Sequence, residues 1–109
     1  MTQSIEDSPA LKNAVINKRI EWQKHALERM AERDILRSMV IEVLLTGERI
    51  EDYPDDTPFP SALFSKIIRQ RPIHVVVAYD SISEWAFVIT AYEPDLEYFE
   101  SDFKTRRRK

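Results

Sequence analysis

The chain has 109 residues, 43% hydrophobic and 32% charged, which suits one globular domain with a single two-layer core and is too short for two. Its net charge of −3 argues against avid, nonspecific nucleic-acid binding, although residues 66–71 and 104–109 are basic stretches on an acidic body. With no cysteine and one glycine, Gly47, the sequence excludes disulfide frameworks, thiolate metal sites, cysteine nucleophiles and every glycine-rich phosphate loop.

Residues 1–8 are polar and read as a frayed end. No basic segment followed by a long apolar run marks a secretory leader there, and no apolar stretch reaches the roughly 20 residues that span a bilayer. A cytoplasmic location with no membrane contact is the expectation. Ser8-Pro9 reads as an N-cap followed by proline at the first helical position, and Leu11, Ala14, Val15 and Ile16 give that helix a modest apolar face. Residues 20–22 suggest a short extended bridge. A second helix is predicted from about Gln23 to Arg33, with Asp34 at the helix-ending position that asks for left-handed backbone. Leu36, Met39, Val40, Val43 and Leu44 then recur at i, i+3, i+4, i+7 and i+8, predicting a third helix packed by one face and ended by Gly47 in the usual C-terminal manner.

A short strand over 48–53 leads into a connection stiffened by Pro54, Pro58 and Pro60 and made acidic by Asp55 and Asp56. Residues 62–70, 73–79 and 85–92 are rich in β-branched and aromatic side chains and read as strands. The turns between them, at 71–72 and 80–84, are short enough to imply antiparallel hairpins. Val75, Val76 and Val77 in a row mark a central strand covered on both faces. Residues 95–103 suggest a short closing helix and 105–109 a basic tail. The expected fold class is α+β, with N-terminal helices on one face of a mostly antiparallel four-stranded sheet and a short C-terminal helix. In domain terms, 1–19 is a partly helical extension, 20–105 the domain and 106–109 the tail.

Three groups of residues carry candidate chemistry. His25, Arg29 and Arg33 fall roughly 40° apart around a helix and form one stripe, with Arg29 and Arg33 as like charges at i,i+4. Either nearby carboxylates compensate that repulsion or an anionic ligand sits on it. His74 opens the central strand beside Lys66, Arg69 and Arg71, and shares a strand face with Val76 and Ala78, a small-residue surface suited to the floor of a cleft. Its structural reading is a half-buried histidine satisfied by one backbone bond. In Thr90-Ala91-Tyr92-Glu93-Pro94, Tyr92 reads as a residue that stacks on a base or orients a phosphate and Glu93 as a general base, or the segment is a packing and chain-reversal element. Arg106, Arg107, Arg108 and Lys109 attract RNA or are simply solvated. If the two histidines converge, they make a general acid–base pair. Metal-ligand spacing is weak and there is no nucleophile elbow, so metal-free chemistry on a phosphodiester, with no cofactor, is the most economical enzymatic reading.

The segments Lys24-His25-Ala26-Leu27-Glu28-Arg29-Met30-Ala31-Glu32-Arg33, Thr46-Gly47-Glu48, Pro72-Ile73-His74-Val75-Val76-Val77 and Thr90-Ala91-Tyr92-Glu93-Pro94 resemble, in this order, a family of small prokaryotic proteins. That family is classed as a domain of unknown function related to RelE- and BrnT-like toxins of toxin–antitoxin systems, and the resemblance spans about residues 20–105. It implies a RelE-toxin-like fold and an mRNA-interferase type of endoribonuclease that works without metal or cofactor. RNA or the ribosome would be its target and a small zinc-finger antitoxin its partner. It also implies that His25 and His74 share acid–base duty, that Arg29 and Arg33 hold the scissile phosphate and that Tyr92 positions a base. Arg71 lies just outside the motifs and joins the phosphate clamp by its position alone. The alternative on the same scaffold is a non-catalytic protein-binding module. Two departures stand out: Asp34 occupies a position usually held by glycine, and Leu36 one usually held by a small polar cap worth about 1 kcal/mol.

Overall fold

The periodicities of the sequence sort its side chains onto the two faces of one sheet in a computed structural model that describes residues 9–107. The elements are α1 (Pro9–Ile16), β1 (Ile20–Trp22), α2 (Lys24–Glu32), α3 (Arg37–Thr46), β2 (Glu48–Tyr53), β3 (Ser61–Ile68), β4 (Arg71–Asp80) and β5 (Trp85–Tyr92). Ser8, the expected cap of α1, lies outside the described residues. No described helix is long and apolar enough to cross a membrane.

The sheet has five strands in the order β1-β5-β4-β3-β2, one more than the sequence suggests, and it is mixed. The extra strand is the extended bridge at 20–22, which pairs parallel with β5 while all other pairs are antiparallel. A parallel neighbour needs a long crossover, and the chain from α2 through β4 supplies it. Backbone bonds from Ala86 to the Arg19 carbonyl and from Gln23 to the Val88 carbonyl fix both ends of β1.

All three helices pack on one face. Leu11, Ala14 and Val15 of α1, Ala26 and Met30 of α2, and Met39, Val40, Val43 and Leu44 of α3 meet Ala62, Phe64, Ile73, Val75, Val77, Ala86, Val88 and Ala91 from the strands. These strand residues follow the two-residue alternation that sends every second side chain to the same face, except in β5, where an irregularity opposite Val76 and Val77 shifts it between Val88 and Ala91. Ile16 and Leu36 are exposed instead, because Ile16 ends α1 and Leu36 is the extended N-cap of α3. In place of a side-chain oxygen, Met39 Sδ accepts the Leu36 N–H at 3.4 Å. Asp34 takes the left-handed conformation expected after α2, with φ 54°. Gly47 does not: its φ is −82°. Glycine is required there by proximity, since a Cβ would come within 2.5 Å of the Val43 carbonyl oxygen and 2.8 Å of that of Ser65.

The hairpin turn between β3 and β4 falls at Arg69-Gln70, whose φ angles of 51° and 70° are those of a type I′ turn, rather than at Arg71-Pro72. Pro72 is accommodated inside β4, opposite Ile67, because it lies beyond the last pair with β5, His74–Tyr92, where no ladder bond is lost. Residues 95–103 do not form the expected closing helix. The Asp95 carboxylate accepts the Glu97 N–H and the Asp102 carboxylate accepts those of Lys104 and Thr105, so side chains compete with helical bonding and reverse the chain. Phe99 then bridges to Arg106, and the segment lies over the sheet face opposite the helices.

Candidate functional site

Alternation along β4 turns His74, Val76 and Ala78 away from the helices, and the register sets His74 between Ser65 of β3 and Tyr92 of β5. The C-terminal segment covers this end of the face. His74 has no exposed surface, and its ring meets those of Phe99 and Tyr92 edge-on, with centroids 4.8 and 5.4 Å away. Its Nε2 lies 2.6 Å from the Phe103 carbonyl oxygen. A carbonyl only accepts, so Nε2 carries the proton and Nδ1 presents a lone pair, 3.4 Å from the Tyr92 hydroxyl. Burial lowers the His74 pKa below its ordinary 6.5, outweighing the opposite pull of the Phe103 carbonyl and the Glu51 charge. Burial likewise raises Tyr92 above 10. A neutral imidazole therefore stands beside a neutral phenol.

Next to this pair is a charged cluster absent from the sequence-level site. Arg106 donates to the two Glu51 carboxylate oxygens at 2.7 and 3.2 Å and lies over the Phe99 ring, 4.7 Å from its centroid. The Tyr53 hydroxyl also donates to Glu51. Burial alone would raise the Glu51 carboxyl, but the bonds from Arg106 and Tyr53 prevail and hold it below 4.5. Burial and the Glu51 bond push Tyr53 up to about 12. Glu51 and Tyr53 were legible only as alternate residues of a short strand. Arg106 belonged to a tail read as solvated, whereas it and Arg107, paired with Glu100 at 3.1 Å, are docked. Arg108 and Lys109 lie outside the described residues.

The His25–Arg29–Arg33 stripe sits elsewhere. It runs along α2, on the helical side, so the sheet separates His25 from His74 and the two do not form one active site. His25 is exposed, and Arg29 and Arg33 are partly exposed. Among the described residues, none of the three uses its side chain in an ion pair or hydrogen bond, and Arg33 Nη1 is enclosed without a partner. Among the described residues no carboxylate repairs the stripe. Arg71, by contrast, is engaged at each of its three nitrogens: it donates to the Arg33 and Asp34 carbonyls at 2.9 Å each and to Glu93 at 2.5 Å. It braces the end of α2 against β4, and its Nε and one Glu93 oxygen are committed to each other.

The other end of the far face is open. Ala78, Phe87 and Ile89 floor a cleft of about 320 Å³, rimmed by Gln23, Ser61 and residues 56–59. Phe59 stacks on Phe87 with centroids 5.4 Å apart, and Ser61 donates to Asp56 at 2.5 Å. A smaller cavity of about 160 Å³, lined by Glu48, Ser65, Lys66, Asp102, Phe103 and Lys104, adjoins the C-terminal cover. Among the described residues no group of three or more histidine, aspartate or glutamate side chains could hold a metal ion.

No curated protein and no solved structure matches the chain. A family described as Domain of unknown function (DUF4258) matches residues 22–93. That stretch runs from the end of β1 to just past β5, so it contains α2, the cleft lining, Glu51, Tyr53, His74 and Tyr92, and it stops short of the segment that covers His74. Since the match takes in well over half of its residues, the chain belongs to the DUF4258 family of domains of unknown function.

Proposed function

We propose that this chain is a toxin-like, metal-independent RNA endonuclease of RelE/BrnT type, centred on His74 and Tyr92 and held in check by a zinc-finger antitoxin. The observation that carries the reading is the His74 tautomer. With the proton on Nε2, the Nδ1 lone pair is a base beside a phenol that keeps its own proton. In such a reaction the base takes the ribose 2′-hydroxyl proton, O2′ attacks the adjacent phosphorus, and the bond to the 5′ oxygen breaks as an acid protonates it. His74 suits the first role and Tyr92 the second. Arg106 supplies positive charge for the phosphorane, with Glu51 orienting it. His25 and the stripe stand on the other side of the sheet, where Arg29 and Arg33 are free to contact RNA backbone away from the scissile bond.

RNA reaches Nδ1 only when the Phe99 side chain swings off the wholly enclosed imidazole, while the Phe103 carbonyl and Arg106 keep their bonds to His74 and Glu51. Phe103, whose carbonyl closes the site, sits at φ 60°, a conformation that costs a bulky residue on the order of 1 kcal/mol or more.

The test is expression of the full chain in cells and incubation of the purified protein with RNA, with and without ribosomes. Growth arrest and fragments ending in a 2′,3′-cyclic phosphate are expected. His74→Gln and Tyr92→Phe should each reduce cleavage by roughly 100-fold or more, and His25→Ala should leave it unchanged. Harmless expression together with intact RNA would sink this reading. A second reading, the non-catalytic protein-binding module, draws on the complete burial of His74 with both ring nitrogens facing partners, the state of a structural histidine. It expects no cleavage under any of these conditions.

A further inference from the structure

The open cleft has a chemistry of its own. Its floor and one wall are apolar and flat, made by Ala78, Ile89 and the paired rings of Phe59 and Phe87. Its polar rim consists of the Asp56 carboxylate, the Gln23 amide and the hydroxyls of Thr57 and Ser61, and no lysine or arginine lines it among the described residues. Ser61 bonds one Asp56 oxygen, and Asp56 has no ion pair among the described residues, so its second oxygen is uncommitted and its charge has no counter-charge. Asp55 precedes it in the rim loop, and Glu21 stands opposite Phe87 in the neighbouring strand. The volume, about 320 Å³, lies at the lower end of the roughly 300–1,000 Å³ typical of ligand pockets, enough for one long side chain.

We propose that the Phe59–Phe87 cleft is a receptor for an arginine side chain presented by a partner protein. Charge complementarity selects a cation over a phosphate, since among the described residues the only charge lining the cleft is negative. Arginine fits better than lysine: its planar guanidinium stacks on an aromatic face while its fork of N–H donors reaches a carboxylate. Gln23 and Thr57 offer further acceptor oxygens for the remaining donors. The site is at the opposite end of the sheet face from His74 and does not depend on whether the chain cuts RNA.

The experiment is an NMR titration of the full-length ¹⁵N-labelled chain with N-acetyl-arginine amide. The citrulline amide serves as the uncharged isostere, with lysine amide and a single-stranded RNA oligonucleotide alongside. Saturable shifts at Ala78, Phe87 and Ile89 are expected with arginine, weaker by roughly tenfold with citrulline, and weaker by about the same factor in Asp56→Asn, an exposed position whose exchange leaves the fold intact. Lysine should bind less tightly than arginine. Equal binding of citrulline, an unchanged affinity in Asp56→Asn, absence of shifts in the cleft, or RNA displacing arginine from it would each overturn the proposal. His74→Gln should bind arginine normally, which separates this site from the endonuclease reading.

Discussion

Arg71 and Arg29 look alike in the sequence, two cations near histidines, and the structure assigns them different work. Arg71 carries the carbonyls left unpaired at the end of α2, those of Arg33 and Asp34, and ties them through Glu93 to the end of β5. Arg29 has no side-chain partner among the described residues. Removing Arg71 leaves those carbonyls and a carboxylate without their donor, so Arg71→Ala should lower unfolding free energy by about 1–3 kcal/mol. Arg29→Ala should stay within about 0.5 kcal/mol of the parent, as surface changes usually do. Urea unfolding of both variants checks the pair. If Arg29→Ala instead stabilises the chain measurably, relief of the Arg29–Arg33 repulsion is the cause, and the stripe is then kept for a ligand rather than for the fold.

At the scale of elements, local chemistry and pairing part company in the β3–β4 hairpin. Arg69 and Gln70 both occupy left-handed conformations that a type I′ turn demands and that asparagine and glycine adopt most easily. Both side chains are exposed. Replacing the pair with Asn-Gly should therefore raise stability by about 1–2 kcal/mol, read as a thermal midpoint several degrees higher with the fold unchanged. An unchanged or lower midpoint would mean that these side chains hold the turn by means other than backbone preference. The same hairpin marks the limit of what the sequence discloses. Ile73, Val75 and Val77 announce a core face, and His74, Val76 and Ala78 the opposite one, where Ala78 floors the cleft, because a two-residue alternation is a local property. Arg71-Pro72 looked like the turn because proline is a local breaker, yet its acceptance inside β4 depends on where β5 ends. β1 is three residues long, too short for its apolar–polar–apolar alternation to announce a strand, so only its distant partner makes it one. Residues 95–103 suggest a closing helix, whereas the short carboxylates of Asp95 and Asp102 turn the chain. His74 and Tyr92 could be picked out in advance as residues, but Glu51, Tyr53 and Arg106 meet through contacts some 50 residues apart in the chain.

For the molecule as a whole, the decisive feature is that the sheet face opposite the helices has its only wholly buried ionisable group, among the described residues, under a segment of the C-terminus. Burial keeps His74 neutral in the folded chain, with a pKa below the 6.5 it regains on unfolding. Above about pH 6.5 both states are neutral and the histidine's contribution is fully present. As pH falls below that value the unfolded chain binds a proton that the folded chain refuses, and stability is lost until the lowered folded pKa is passed. His74→Gln should flatten this dependence between pH 7 and the acid range. Phe99→Ala should flatten it too, for a different reason: thinning the cover readmits water and returns the imidazole toward its ordinary pKa. A His25→Asn background leaves one histidine ring to follow by NMR, so the titration of His74 can be read directly beside the urea midpoints. A ring titrating at or above 6.5 in the covered chain would show that the segment does not exclude water. A lowered value that rises in Phe99→Ala would show that cover and base are coupled. The same variant should then expose Nδ1 to RNA, so cleavage and pKa ought to rise together if His74 is a catalytic base, and pKa alone if it is structural.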